Sequence, residues 1–486
     1  MTLIGAGPRP APHEVPVPLE TYEAALDWLF SATDYEKMQR VRYNADTFSL
    51  DRMWRLLGLV GSPERRLRSV HVAGTKGKGS TAAMVHAMAL GCGLKAGLYT
   101  SPHLVDIRER IQVGRETIAP EDLRGLIAAA RPHVERLRAA GDPPTFFEIF
   151  TALALRHFAE VGTDLVVAEV GLGGRLDATN VLAPDASVIT AVSLDHVYQL
   201  GGTLGSIAAE KAGIIKPGVP TVSQPQAAEA LAVIERRCGE AGAPLVLVGR
   251  DVTFAWRPAE EGRERGIAME VRTARCTYGG LFVPLMGGHQ AENAAAAIAA
   301  AELVGPMAAR PLGPDVVRAA LRQVHWPGHM EFHAGRPDLL LDGAHNRASV
   351  ERLLEAVAAH FPGRRAQVLF ASAADKDIEG MLQVLAGSPT AAGVVFTRTA
   401  NPRAADPSEL RATFERFGGR AAEAAAEVPA ALERAKARAG PDGMVLVCGS
   451  LYLVGEVKGG WLRRPSRLAR AHKGLDSEGS DPLPQI

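Results

Sequence analysis

The chain contains 486 residues, of which 47% are hydrophobic and 22% are charged, as is usual for globular proteins with large cores. Its 54 basic and 54 acidic side chains balance, so no net charge attracts nucleic acid or an anionic membrane. No apolar run approaches the ~18 residues that span a bilayer, and no signal peptide is visible. The four cysteines form no C-x-x-C pair, which argues against a disulfide framework or a zinc site. We therefore expect a soluble, cytoplasmic protein without a nucleic-acid or membrane partner.

Short apolar strands alternate with amphipathic helices from residue 68 onward. Residues 1–17 are rich in proline and are expected to form a flexible leader, and residues 21–57 have helical spacing. The alternation predicts an α/β fold whose mostly parallel sheet is covered on both faces. Residues 267–286 interrupt it and predict a small antiparallel insertion. The expected strands are 69–73, 96–99, 164–168, 186–192 and 244–248, and the expected helices are 80–90, 147–159, 207–214, 227–241 and 290–304.

A second, smaller α/β unit of Rossmann-like character is expected after residues 305–314, where prolines and glycines are frequent. Its expected strands are 339–341, 367–371, 393–397 and 444–448. We therefore divide the chain into a leader (1–17), a first domain (18–308), a C-terminal domain (309–462) and a tail (463–486). The tail starts basic and ends polar. A solvated, disordered end is a better interpretation of it than a nucleic-acid arm.

Residues 71–81 read HVAGTKGKGST, an apolar strand that runs into a glycine-rich turn. Gly74, Gly77 and Gly79 allow a tight turn whose backbone N–H groups point into one cavity, and Lys78 adds a cation before a helix expected to start near Ser80. This pattern predicts a polyphosphate cradle and hence a nucleotide ligand. The strict G-x-x-x-x-G-K-[ST] pattern is not met, because Gly79 replaces the hydroxyl residue. A structural corner between strand and helix is the alternative.

Two further polar segments directly follow predicted strands, where ligands bind in open α/β sheets. The first, residues 169–180, reads EVGLGGRLDATN, and its Glu169 suits Mg²⁺. Its alternative interpretation is a tight loop in which Arg175 and Asp177 pair with each other. The second, TSPHL at 100–104, offers hydroxyl groups that could supply the metal oxygen in place of Ser80.

Other candidate groups lie further along the chain. In SLDH at 193–196, His196 could be a metal ligand, a general base or a structural histidine. Lys211 lies in an apolar helical context, where burial would lower its pKa and allow the neutral amine to capture CO₂ as a carbamate. The pair Gln290 and Asn293 could contact a purine or only start a helix. In LDGAHN at 341–346, the residues Asp342, His345 and Asn346 could cap a helix or close over a nucleotide.

Taken together, these segments resemble the folylpolyglutamate synthase/dihydrofolate synthase family, a branch of the ATP-dependent Mur ligases. The resemblance extends from about residue 22 to residue 457. It depends on a set of motifs in one order: HVAGTKGKGS, TSPHL with RERI, EVGLGGRLDATN, SLDH, EKAGIIKPG, HQAENAAAA, WPG, LDGAHN and VLVCGS.

The resemblance implies ATP and Mg²⁺ as cofactors and gives roles to individual residues. Catalytic roles fall to Lys78, His196 and Lys211, with Lys211 carried as a carbamate. The implied metal ligands are Ser101, Glu169 and His196. The implied ATP-binding residues are Gly74, Thr75, Gly77, Lys78, Gly79, Ser80, Asn293, His329, Asp342 and His345. The residues implied to line the pterin or pteroate side are Thr145, Phe146, Phe147, Glu148, Leu176, Asp177 and Ala178.

Two residues depart from the commonest family pattern. Lys76 stands where many members have asparagine, and His329 stands where Trp-Pro-Gly is normally followed by an arginine that contacts ATP. A histidine is shorter and cannot make the bidentate contact of an arginine. We therefore expect Lys76 to be a candidate replacement for that contact.

The implied reaction joins L-glutamate to a folate, or to dihydropteroate, through an acyl phosphate, with release of ADP and phosphate. The substrates are small molecules, and a monomer is the default expectation, because the sequence contains no signal of oligomeric state. A Mur-type ligase acting on another carboxylate, a P-loop phosphotransferase or NTPase, and a non-catalytic nucleotide or folate binder are the alternatives.

Overall fold

The computed structural model describes residues 19–35, 47–195, 197–308 and 311–462. Within these residues, one sheet has eight strands in the spatial order β4-β3-β2-β5-β1-β6-β7-β8. Strands β2 to β8 of this order pair in parallel, and β3 and β4 form an antiparallel hairpin at one edge. The strands are β1 (Ser69–Ala73), β2 (Ala96–Tyr99), β3 (Ile111–Val113), β4 (Glu116–Thr117), β5 (Leu165–Glu169), β6 (Ala186–Ile189), β7 (Thr221–Ser223) and β8 (Leu245–Leu247).

The faces of this sheet are covered by helices because the central strands are apolar on both sides. Along β5, Leu165 and Val167 join the core under α3 and α9, while Val166 and Ala168 join the core under α1, α2, α4 and α5. The helices of this part are α1 (Tyr22–Phe30), α2 (Leu50–Leu59), α3 (Lys78–Gly91), α4 (Pro120–Ala139), α5 (Phe146–Glu160), α6 (Val197–Leu200), α7 (Leu204–Ala212), α8 (Ala228–Ala241), α9 (Gly288–Leu303) and α10 (Gly305–Ala308).

A separate antiparallel sheet follows, with the strands β9 (Thr253–Glu261), β10 (Glu264–Arg272) and β11 (Thr277–Val283). The expected insertion began at residue 267, so β9 lies outside the expected range. This strand is largely exposed on both faces and therefore carries no apolar alternation. The helix α11 (Pro314–Arg322) also packs on this side: Val317 and Leu321 belong to the core of the first domain, although they follow the expected boundary at residue 309.

The C-terminal sheet has the order β12-β13-β17-β14-β15-β16, parallel except for the edge strand β12. Its strands are β12 (Glu331–His333), β13 (Asp338–Leu341), β14 (Ala366–Phe370), β15 (Ala391–Phe396), β16 (Ala422–Ala424) and β17 (Met444–Cys448). Helices cover both faces, as expected for a Rossmann-like unit. They are α12 (Arg347–His360), α13 (Ile378–Gly387), α14 (Pro407–Arg416), α15 (Val428–Ala439) and α16 (Leu451–Leu462).

The expected α/β class, the mostly parallel first sheet, the antiparallel insertion and the second α/β unit are all confirmed. The observed strands begin within two residues of the expected ones, but 186–192 is too long, because β6 ends at Ile189. The long helix α4 is missing from the expected elements; it contains Pro132 in its interior. None of the helices in the described ranges is long and apolar enough to cross a bilayer.

Candidate active site between the two large sheets

A cavity of about 1190 Å³ lies between the carboxyl ends of the first sheet and those of the C-terminal sheet. The first sheet contributes residues 74–80, which we call the phosphate loop, together with the segments after β2 and β5. The C-terminal domain contributes side chains from the loops after β13, β14 and β15, among them His345, Lys376 and Arg403, and Tyr452 from the start of α16. Segments that lie far apart in the chain therefore meet in one cleft, which has both charged and apolar lining residues.

The phosphate loop is a tight turn held between other side chains. Gly77 has φ of 86° and lies directly before α3, which begins at Lys78, two residues before the expected start. A Cβ at Gly77 would lie 2.3 Å from Oδ1 of Asn293. The N–H groups at the beginning of α3 therefore face the cavity next to Lys78, as a polyphosphate cradle requires.

Glu169, Lys78 and Ser101 lie together at the carboxyl ends of β5 and β2. Nζ of Lys78 is 3.9 Å from Oε1 of Glu169, and the Ser101 backbone N–H donates to Oε2 at 3.1 Å. Burial raises the pKa of Glu169 to about 7, although the Lys78 cation and the Ser101 N–H oppose this shift. A buried carboxylate in this position is stabilised as an anion by any additional cation.

Lys211 is buried in α7 and points into the same cavity, where its Nζ donates to the Gly74 carbonyl at 2.7 Å. Burial, together with the nearby Lys78 cation, lowers the pKa of Lys211 to about 7. A large fraction of this side chain is therefore the neutral, nucleophilic amine near neutral pH, as the sequence interpretation required.

The glycine-rich segment 171–177 is held by Asp177 and not by a pair between Arg175 and Asp177. Arg175 instead pairs with Glu210 of α7, with Nη2 2.9 Å from Oε1. Asp177 accepts the N–H groups of Leu172 and Thr179 at 2.9 and 3.0 Å. Burial raises the pKa of Asp177, against these hydrogen bonds. Its carboxylate thus shapes the wall of the cavity formed by Leu176, Asp177 and Ala178.

The motifs TSPHL and RERI form one unit after the carboxyl end of β2. Glu109 accepts the backbone N–H groups of Leu104, Val105 and Asp106 at 2.7 to 3.0 Å, which fixes the loop after β2. Arg110 donates to Nδ1 of His103 at 2.9 Å. These contacts explain why the two motifs occur together.

Thr145 and Glu148 form a capping box at the start of α5. The Thr145 N–H donates to Glu148 at 2.8 Å and the Glu148 N–H donates to the Thr145 hydroxyl at 3.2 Å. Thr145, Phe147 and Glu148 line the cavity, and the Phe147 ring lies against Gly171. Phe146 does not line it in the described part of the chain, since its ring stacks on Phe150 at 5.8 Å in the core.

Of the remaining candidates for nucleotide contact, His329 and His345 line the cavity, whereas Asn293 and Asp342 lie behind it in the described structure. Asn293 accepts from Gln224 at 2.7 Å and packs against the phosphate loop. Asp342 accepts the N–H groups of Met330 and Ala344 at 2.9 and 2.7 Å, so it fixes both loops that carry the histidines. The Lys76 cation, together with burial, lowers the pKa of His345 to about 4.

The sequence interpretation missed the charged residues that the C-terminal sheet presents to the cavity. They include Asp375 and Lys376 after β14 and Arg403 after β15. The signal was available, since Asp375, Lys376 and Asp377 lie shortly after a buried strand, in a region where ligands bind in open α/β sheets. His196 lies outside the described residues. Within the described ranges, no three His, Cys, Asp or Glu side chains form a metal-binding group.

The chain matches two domain families along its length. Residues 72–301 match the Mur ligase middle domain, and residues 329–451 match the glutamate ligase domain of Mur ligases. These two matches, together with the two α/β sheets, place the chain in the class of the Mur ligases.

Individual relatives narrow this class. The dihydrofolate synthase/folylpolyglutamate synthase of Bacillus subtilis is 36% identical over 411 residues, which cover 84% of this chain and 94% of that protein. A probable bifunctional folylpolyglutamate synthase/dihydropteroate synthase of Haloferax volcanii is 37% identical over 94% of this chain, and the chain spans 52% of its length. A folylpolyglutamate synthase in complex with AMPPCP and folate superposes with a TM-score of 0.77 at 30% identity, over 91% of this chain and all of the other.

The chain belongs to the folylpolyglutamate synthase/dihydrofolate synthase family of Mur ligases. The expected family and the expected class of enzyme, a glutamate ligase, are confirmed.

Proposed function

We propose that this protein uses ATP to join L-glutamate to the γ-carboxylate of a folate, to dihydropteroate, or to both, through an acyl phosphate and with release of ADP and phosphate. The observation that carries the proposal is the arrangement of the cleft. The phosphate loop with Lys78 and Glu169 lies at one part of the cavity, and an apolar wall with Phe147 and Leu176 lies at another. Such a cavity accommodates a polyphosphate and a flat aromatic acid together.

The chemistry must overcome repulsion between the substrate carboxylate and the γ-phosphate that it attacks. The Lys78 cation and the N–H groups at the start of α3 face this point and stabilise charge on the transferring phosphoryl group. The carboxylate oxygen forms a bond to phosphorus while the bond to the ADP oxygen breaks. The glutamate amine then attacks the acyl carbon, phosphate leaves, and the amine loses a proton.

Mg²⁺ fits the residues present, because a buried carboxylate beside a phosphate cradle is the kind of oxygen ligand that it uses. Glu169 and the Ser101 hydroxyl would hold it, with His196 as a further proposed ligand. The ion would neutralise charge on the nucleotide phosphates.

We further propose that Lys211 is carried as a carbamate. Its neutral amine would form a bond to the carbon of CO₂ and release a proton, which converts a buried cation into an anion. The pKa of about 7, lowered chiefly by burial, supplies the neutral amine, and the Lys78 and Lys76 cations would stabilise the product.

A Mur-type ligase acting on a different carboxylate is the main alternative, and a phosphotransferase or NTPase that shares only the phosphate loop is the second. The proposed compartment is the cytoplasm, on the composition arguments given above, and the proposed state is a monomer, which is the default expectation. The domain limits 18–308 and 309–462 also remain proposals, with α11 packing on the first domain.

The test is a ligation assay with ATP and labelled glutamate, offered dihydropteroate and tetrahydrofolate in parallel. We expect amide formation with at least one acceptor and phosphate release that depends on glutamate. Lys78→Ala and Glu169→Gln should abolish both, whereas Lys436→Ala, which removes a lysine of α15 that pairs with Glu433 and does not line the cavity, should leave them unchanged. Phosphate release without glutamate or an acceptor would favour the NTPase, and near-normal turnover in Lys78→Ala would overturn the proposal.

A further inference from the structure

Lys76, the unusual residue of the phosphate loop, lies between the two large sheets. Its Nζ is 3.1 Å from Oδ2 of Asp195 and 3.1 Å from Nε2 of His345. Nδ1 of His345 lies 2.8 Å from the Gly343 carbonyl, so this nitrogen carries the proton and Nε2 accepts from the lysine. Asp195 follows β6 of the first sheet, whereas His345 follows β13 of the C-terminal sheet.

The Asp195 carboxylate also contacts two residues that follow strands of the C-terminal sheet. Nζ of Lys376 is 3.2 Å from its Oδ1, and Nδ2 of Asn346 donates to its Oδ2 at 3.1 Å. The Asp195 side chain is only 8% exposed and that of Lys376 only 17% exposed. A carboxylate this deeply buried is costly unless it is paired and hydrogen-bonded. Pairing of Asp195 with the C-terminal residues therefore stabilises the arrangement in which the two sheets lie together.

Backbone hydrogen bonds fix the residues that the first domain contributes to this contact, Lys76 and Asp195. The N–H groups of Thr75 and Lys76 donate to the Ala191 carbonyl at 2.9 and 3.2 Å. The Thr75 hydroxyl and the Ser193 backbone also bond to each other at 3.1 Å. The phosphate loop and the segment with Asp195 consequently form one rigid element, onto which the C-terminal loops dock.

We propose that Asp195 is a positioning residue that holds the C-terminal sheet against the phosphate loop, with Lys76 and Lys376 as its counter-ions. Lys76 then acts through Asp195 and His345 and does not replace the missing arginine. Docking would close the cleft around the acyl phosphate and keep water from it. The expected effect of Asp195 on turnover rests on the proposed function, whereas the docking of the two sheets does not depend on it.

The docking can be measured without substrates, as the distance between spin labels at positions 236 on α8 and 433 on α15, both exposed. Cys276 is first changed to serine, because the other three cysteines are buried. We expect Lys376→Met and Asp195→Asn each to broaden or lengthen the distance distribution. The double variant should resemble Asp195→Asn alone, since both changes break the same contact. Lys376→Arg should keep the wild-type distribution.

Lys458→Met is the matched control, because Lys458 of α16 is a largely buried lysine whose partner, Glu331 of β12, belongs to the same C-terminal domain. It should leave the distance unchanged. In ligation assays, Lys376→Met should lower kcat/KM by ~10-fold or more and raise the ratio of phosphate released to amide formed, because water gains access. A residue with a merely structural role would not change this ratio.

Unchanged distances in Lys376→Met and Asp195→Asn would overturn the inference. So would a Lys76→Met variant that raises the KM for ATP while the distance distribution stays that of the wild type, since Lys76 would then be a phosphate ligand. Failure of the wild-type protein to ligate glutamate would count against the proposed function alone, because the distance measurement needs no substrate.

Discussion

Gly79 lies directly against the indole ring of Trp326, so that a Cβ on this glycine would be 2.3 Å from Cζ2 of the ring. Trp326 belongs to the WPG motif, and the loop that it occupies joins α11 to the C-terminal sheet. This contact gives a physical reason for the imperfect phosphate-loop pattern. The position that holds a hydroxyl residue in the strict pattern has no room for a side chain in this fold.

Gly79→Ser, which restores the strict pattern, should therefore impair the protein. Overpacking costs ~1–3 kcal/mol, and we expect ATP affinity to fall by ~10-fold or more, as measured by calorimetry. The variant Gly79→Ser with Trp326→Leu makes room for the new side chain and should recover part of the loss. Wild-type affinity in Gly79→Ser alone would mean that Trp326 moves aside without cost.

Gly455 on α16 provides a second close approach, because a Cβ there would lie 2.2 Å from the Leu104 carbonyl oxygen of the first domain. Gly455→Ala should push the helix away from the loop and lower kcat several-fold, with an unchanged circular dichroism spectrum. Gly460→Ala is the control on the same helix, as nothing lies within 4 Å of its added Cβ. Equal activities of the two variants would contradict the expectation.

Arg52 makes a buried, bidentate pair with Glu148, with distances of 2.8 and 2.7 Å, beneath the wall that carries Phe147. Arg52→Met leaves the carboxylate buried and unpaired, so the free energy of unfolding should fall by ~3–5 kcal/mol in urea titrations. Arg55 pairs with Asp142 but is 55% exposed, and Arg55→Met should cost at most ~1 kcal/mol. Similar losses in both variants would show that burial does not govern these pairs.

Glu331 should make stability depend on pH. Although burial opposes its ionisation, hydrogen bonds from His333, Lys458 and the Gly328 N–H lower the pKa of Glu331 from 4.5 to about 2. The unfolded chain binds the extra proton between these two values, so the contribution is complete above pH 4.5 and is lost as the pH falls towards 2. The stability difference between wild type and Glu331→Gln should accordingly be largest at pH 7 and shrink at pH 3.5.

Asp442→Asn is the control for this pH dependence. Asp442 pairs with Arg336 at the surface and is 88% exposed, so this variant should match the wild type at both pH values. A difference between wild type and Glu331→Gln that is the same at pH 7 and pH 3.5 would refute the proposed role of the ionised carboxylate.

Much of the fold could be predicted from local pattern. Strands β1 and β2 were predictable to the residue, because five and four successive buried residues leave few alternatives. The exposed strand β9 could not be predicted, since it pairs with β10 through its backbone and presents few apolar side chains. The roles of Asp177 and Asn293 were also beyond the sequence, because each depends on which partner the folded chain brings within hydrogen-bond distance.

The sequence by itself determined the α/β class, the family and the position of the glycine-rich phosphate loop, since these follow from residue types and their order along short segments. Only the tertiary structure decided what surrounds that loop. It places Trp326 against Gly79, and it joins Lys76 and Asp195 of the first domain to His345 and Lys376 of the second. Such contacts depend on the packing of elements more than a hundred residues apart in the chain, and the local sequence pattern does not determine that packing.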